Sequence, residues 1–259
     1  MGSSATSVSS AVDLPPDSPR PPFTWTVSLP LNWRLVDLHP SRTDSVVANL
    51  LRDDDLVPGV RLSSAERRQM KEALLSMAKQ AREAGTLLAL VFPGIDNGVV
   101  AAVTLLIRWV DSSPNVASVM SAQNQFGGDD TSVEQTGKGA SYVLRSSESL
   151  TGPVTDRRTA YTHQAFLPIA STTWTAVVSA TAPSVETSED TKNVVKRVTS
   201  SLIARPDQSA SDAPEHQGEN RHSSEVEETV EEKHQAPAEV HEGGSRRVLI
   251  DSEGVHGDG

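Results

Sequence analysis

The chain contains no cysteine. That excludes a disulfide framework, a cysteine-ligated zinc or iron–sulfur site and a thiol nucleophile. It also leaves nothing for a bacterial lipoprotein anchor or a prenyl group to modify. The opening residues are rich in Ser and Ala and carry neither a basic stretch nor an apolar one, so a cleavable export signal is not expected. Long apolar runs are missing too. The nearest candidate for a membrane span is residues 86–110, but its middle holds Pro93, Gly94, Asp96, Asn97 and Gly98, which would leave polar groups unsatisfied in lipid. The expectation is a cytoplasmic protein with no membrane span or lipid anchor.

A basic stripe is the last absence. The formal net charge is −11, and it is unevenly placed. From Pro206 onward there are 14 acidic and 4 basic residues, whereas residues 1–205 hold 20 acidic and 19 basic ones. The body is close to neutral and nearly all the negative charge lies in the tail. Phosphate neutralisation has little to work with, so nucleic acid is not an expected partner.

What is present centres on residues 62–110. Ser63 and Glu66 form an S-x-x-E capping box, in which each side chain satisfies a backbone N–H that a helix start leaves free. Met70, Ala73, Leu74, Met77, Ala78 and Ala81 then fall on one helical face, with Arg67, Arg68, Lys71, Glu72, Lys79, Arg82 and Glu83 on the others. Gly85 stands where a left-handed cap is wanted. Two apolar runs follow, residues 86–92 and 99–110, separated by Pro93-Gly94-Ile95-Asp96-Asn97-Gly98, and this reads as a hairpin. In the second run Val99, Ala101, Val103, Leu105, Ile107 and Trp109 share one face, and Val100, Ala102 and Leu106 the other. A strand that is apolar on both faces is covered on both.

Around this centre, Met1 to Pro22 holds too few apolar side chains to offset its ordering entropy and is expected to be disordered. Phe23, Trp25, Val27 and Leu29 alternate with polar residues as in a half-buried strand, and a second short strand resumes at Trp33 after Pro30-Leu31-Asn32. A short helix is expected around residues 45–51. Another is expected at Pro114 with Ser113 as its cap, then strands at 132–145 (with a break at Gly137-Lys138-Gly139), 158–169 and 172–182. A closing helix starting near Ser188 presents Val194, Val195, Val198 and Leu202. Short connections between successive strands favour antiparallel pairing. The reading is an α+β domain over 23–205 with an antiparallel sheet and helices on both faces. It is flanked by a disordered N-terminal segment, 1–22, and an acidic disordered tail, 206–259. About 180 residues are enough to bury roughly 70% of the extended surface and fold alone.

This layout resembles the PsbP-like sandwich and the related LpqN-like bacterial proteins. The likeness rests on Leu29-Pro30-Leu31-Asn32-Trp33, the Ala-rich helix Met70–Gly85 before a hairpin, the Gly139-Ala140-Ser141-Tyr142 strand and the closing helix, and it spans Phe23 to Ala204. It implies a sheet-and-helix binding scaffold and carries over no catalytic residue. LpqN-like members are commonly lipoproteins, and this chain departs from them in lacking the cysteine.

The candidate chemistry is sparse. Asp53-Asp54-Asp55 has the oxygen ligands a hard cation would take, but a loop triplet ending at Pro58-Gly59 reads as solvated charge. Asp96-Asn97-Gly98 lacks the later ligands of a calcium loop and is explained by the hairpin turn. Gly137 and Gly139 are not followed by the Gly-Lys-Ser/Thr of a phosphate loop. His163 is the only histidine in the expected core strands. No Gly-x-Ser-x-Gly elbow aims a serine at it, and its strand face shared with Tyr161, Ala165, Leu167 and Ile169 argues for a hydrogen-bonded interior histidine. Trp25 and Trp33 fall in apolar alternation and read as core. No catalytic residue, metal ligand or cofactor is therefore assigned.

The tail has five histidines, at spacings of 6, 12, 7 and 15 residues, which match no compact ligand pattern. One cluster stands out: Arg246, Arg247, Val248, Leu249 and Ile250. Three adjacent apolar residues gain nothing inside an unstructured tail, whereas an extended apolar triplet can add to an exposed sheet edge. That edge belongs either to another protein or to this body, in which case the tail is a strap. The expected function is a non-enzymatic accessory scaffold whose acidic tail docks a protein partner. The alternatives are an enzyme with a site assembled from scattered residues, or a leaderless exported factor. A Trp-x-Gly turn and a Tyr-x-x-x-Asp/Glu signal, which a type VII export route would use, are both missing.

Overall fold

The structure is a computed structural model, and it describes residues 14–52, 61–96, 99–128, 130–151, 157–206 and 245–250. In chain order the elements are β1 (Thr24–Pro30), β2 (Arg34–Val36), α1 (Thr43–Leu50), α2 (Ser64–Glu83), β3 (Thr86–Asp96), β4 (Val99–Asp111) and α3 (Val119–Phe126). They continue with β5 (Thr131–Gln135), β6 (Ser141–Thr151), β7 (Arg158–Pro168), β8 (Trp174–Ala182), α4 (Val185–Ser201), β9 (Ile203–Arg205) and β10 (Ser245–Ile250). Seven strands form one antiparallel sheet in the order β2-β3-β4-β8-β7-β6-β5, and three form a second in the order β10-β1-β9. The class is α+β, and helices cover both faces of the large sheet.

The central unit forms for the reasons its residues supply. Ser63 and Glu66 close the capping box in both directions, Met70, Leu74, Ala78 and Ala81 are buried, and Gly85 takes a positive φ of 70°. With α1, this helix packs Val36, Ala89 and Val91 into one core on one face of the sheet. On the same face α3 forms a smaller core with Val143, Phe166 and Val177, where Phe126 stacks on Phe166 at 4.4 Å. The opposite face carries the main core. There β1 and α4 bring Trp25, Val27, Leu29, Val194, Val195 and Val198 onto Leu105, Ile107, Trp109, Ala165 and Val178. Trp25 and Phe23 both meet Trp109 edge-on, at 5.3 and 5.7 Å.

Several local expectations need correction. The hairpin turn is shorter than the Pro93–Gly98 stretch suggests: β3 runs on through Pro93 to Asp96, with Pro93 opposite Ala102. Proline is tolerated there because β2 pairs only with Ala89–Val91, which leaves β3 an edge strand at Pro93. The helix expected at Pro114 begins later, at Val119, with Ser118 as its cap accepting from Ser121 N–H at 3.1 Å. Ser113 instead turns its hydroxyl to Asp111. The helix α4 begins earlier than Ser188, at Val185. Strands β1 and β2 are neighbours in sequence yet lie in different sheets, because Pro30-Leu31-Asn32 hands the chain from one layer to the other.

The core also reaches beyond residues 23–205. Leu14 packs against the main core and the Ser18 hydroxyl donates to the Thr86 carbonyl at 3.1 Å. At the far end of the chain, Val248 and Ile250 are buried in that core, each 6% exposed. No described helix is long and apolar enough to cross a membrane. The Asp53-Asp54-Asp55 triplet and the five tail histidines lie outside the described residues, as do Asn97 and Gly98.

Candidate functional site

The five tail residues singled out by the sequence all fall within β10. It pairs antiparallel with β1, setting Ile250 opposite Trp25, Val248 opposite Val27 and Arg246 opposite Leu29. Strand periodicity puts Val248 and Ile250 on one face, and both are buried in the main core, which also holds Trp25 and Val27. The other side of β1 is served differently. There β9 pairs with Thr24–Thr26. Farther along, Ser201 of α4 accepts from Ser28 N–H at 3.0 Å, and its hydroxyl lies 3.4 Å from the Ser28 carbonyl. One edge of β1 is therefore closed by the body itself and the other by the last described segment of the chain.

His163 sits within the sheet with both ring nitrogens engaged. Nδ1 is 2.9 Å from the Ser146 hydroxyl and Nε2 is 2.9 Å from the Ser188 hydroxyl in α4. The ring is 6% exposed. Burial, and after it the Lys192 charge, hold its pKa below the usual histidine value, while Glu189, the Ser188 backbone and Asp130 pull it back up. A neutral imidazole donates from one nitrogen and accepts at the other, so two hydroxyls satisfy it completely. Among the described residues no carboxylate hydrogen-bonds the ring, so they supply no orienting third group for a nucleophile–base relay. The geometry is that of an interior histidine.

A second polar group lies on the same face and escaped the sequence reading. Glu134 of β5 accepts from Tyr142 at 2.9 Å and meets Lys196 of α4 at 2.7 Å. Burial pushes the Glu134 carboxyl up, but the hydrogen bonds from Lys196 and Tyr142 and the lysine charges outweigh it and leave the pKa lowered. Burial, then Glu134, raises the Tyr142 phenol well above its ordinary value. A signal for the pair was present in the sequence. Glu134 and Tyr142 become direct cross-strand neighbours once Gly137-Lys138-Gly139 is read as the β5–β6 turn.

The opposite face of the sheet is open between α2 and α3. Its floor includes Thr104 and Leu106 of β4, Arg108 beyond them, and Ser179, Gln164 and Arg145 in one cross-strand row. Arg145 donates to the Phe126 carbonyl at 3.1 Å, while burial alone draws the Arg108 guanidinium below its ordinary value. A cavity of about 180 Å³ lies beside this floor, between α2 and β4, lined by Met70, Ala73, Leu74 and Met77. A larger one, about 470 Å³, opens at the end of the sheets between Leu167, Ile169, Leu202, Ile203 and Lys138. No cluster of three metal-ligating side chains occurs among the described residues.

Neither a protein-family model, nor a curated protein, nor a solved structure matches the chain.

Proposed function

We propose that the chain is a non-catalytic accessory scaffold that binds another protein, acts in the cytoplasm, and uses its acidic C-terminal region as the docking element. The body is then of the PsbP-like and LpqN-like kind, a binding platform rather than a reaction vessel. One observation carries this reading: the apolar end of the tail is seated on the edge of β1 through six registered residues and two buried side chains. That is the strand-addition mode by which peptides are bound at sheet edges, with backbone hydrogen bonds for affinity and alternate side chains for selection. The paired-off state of His163 supports the same reading, since a catalytic base needs access to a substrate proton. Phosphate-bearing partners are not part of the proposal, because the body has no basic excess.

The test is affinity capture from the native host with the full chain and with the triple variant Val248→Ser/Leu249→Ser/Ile250→Ser. The expected result is a protein recovered by one form and lost or strongly altered with the other. Identical recovery by both forms would remove the tail from any account of binding.

A further inference from the structure

We infer that the β1 edge now occupied by β10 is an exchangeable peptide-binding site. Its foreign ligand would be an extended segment of another protein bearing two aliphatic side chains two residues apart. This rests on the scaffold reading above and adds to it the acceptor, the ligand pattern and the internal competitor. Three features of the structure point to exchange.

The first is that β1 does not depend on β10 for its place. Its other side is held by β9 and by the two-way contact of Ser201 with Ser28, and Trp25 is packed on Trp109. The second is the modest grip of β10. The strand has 6 residues, lies at the end of a three-stranded sheet and has two side chains described as buried, Val248 and Ile250. Those two mark the positions a ligand strand must fill, since Val248 lies opposite Val27 and Ile250 opposite Trp25.

The third is reach. The gap from Arg205, beside Thr24, to Ser245, beside Pro30, is about the length of β1, roughly 20 Å at the usual rise per residue. Residues 207–244 extend to about 125 Å when fully drawn out. The strand can leave and return without pulling on β9. While attached, it competes as an intramolecular ligand, at an effective concentration on the order of millimolar at most. A foreign strand therefore binds only when it is better matched or locally concentrated. Capping of an otherwise sticky edge is the competing explanation for β10, and it requires the strand to stay put.

The experiment uses the full chain carrying Val248→Ser/Ile250→Ser, and a fluorescein-labelled peptide of residues 244–253 as the probe, read by anisotropy. The double variant is expected to bind the peptide saturably, and the wild-type chain to bind it at least about tenfold more weakly because its own strand competes. A peptide with the same two serines should not bind. If the variant still unfolds cooperatively but leaves the peptide free, or if wild type binds it equally well, the inference is overturned. If the variant does not fold, hydrogen exchange on the wild-type chain decides. Amides of β10 exchanging ahead of those of β4 and β8 support exchange, and amides opening only with the whole molecule refute it. Peptide binding in trans without any partner in the native host would leave this site standing and sink the scaffold reading alone.

Discussion

His163 shows what a single residue contributes here. Its two hydroxyl partners come from β6 and α4, so the ring ties the sheet to the helix above it. Replacing it by Ala leaves both serines without their acceptor or donor, and we expect a loss of about 1–3 kcal/mol in chemical or thermal denaturation. The pH dependence has a definite sign. The folded chain holds the imidazole proton more weakly than the unfolded chain, whose histidine titrates near 6.5. The unfolded state therefore takes up more protons as pH falls, and this part of the stability is complete above about 6.5 and is lost as pH drops toward the folded-state value. The depressed carboxylates of Glu66, Asp111 and Glu134 act in a lower window, below about pH 4.5. Melting curves between about pH 7.5 and 5.5 should fall more steeply for wild type than for His163→Gln, and parallel curves would show that the ring is not coupled to folding.

At the scale of elements, β10 is the strand whose energetics are most distinctive. Its two side chains described as buried contribute about 3–6 kcal/mol together, less than the cost of ordering six residues at about 1–2 kcal/mol each, so β10 also depends on its ladder hydrogen bonds to β1 to stay in place. Val248→Ser and Ile250→Ser should each lower stability by about 1–2 kcal/mol, and the pair by clearly less than the sum, because an undocked strand has nothing more to lose. Full additivity in urea denaturation would mark β10 as an integral strand. The same strand shows how far a sequence can be read. Val248-Leu249-Ile250 announces a strand in need of an edge, but alternation encodes a face and not a partner, so the choice of β1 was invisible. Helix α2 was legible because its cap, its apolar stripe and Gly85 are all local. Pro93 within β3 was not, since its tolerance depends on β2 stopping short. His163 was legible as interior from its strand face, whereas Ser146 and Ser188, on a neighbouring strand and a later helix, carry no mark of serving it.

For the whole molecule, the boundaries of the folded unit matter more than its centre. A chain trimmed to residues 21–205 keeps every strand of the large sheet but loses Leu14, the Ser18–Thr86 hydrogen bond, Val248 and Ile250. We expect it to melt several degrees below full length, at about 2–4 °C for each kcal/mol removed, and coincident melting would show that the flanks add nothing. The antiparallel register of β10 also has a mechanical meaning. Trp25 lies opposite Ile250, so the chain enters β1 and leaves β10 at the same end of the ladder. Tension between the two chain ends is directed along a zipper, opening one residue pair at a time from Trp25–Ile250, rather than shearing six pairs together. From the C-terminal side the strap parts pair by pair at low force, whereas from the N-terminal side the Leu14 packing and the Ser18–Thr86 hydrogen bond take the load before it reaches Trp25.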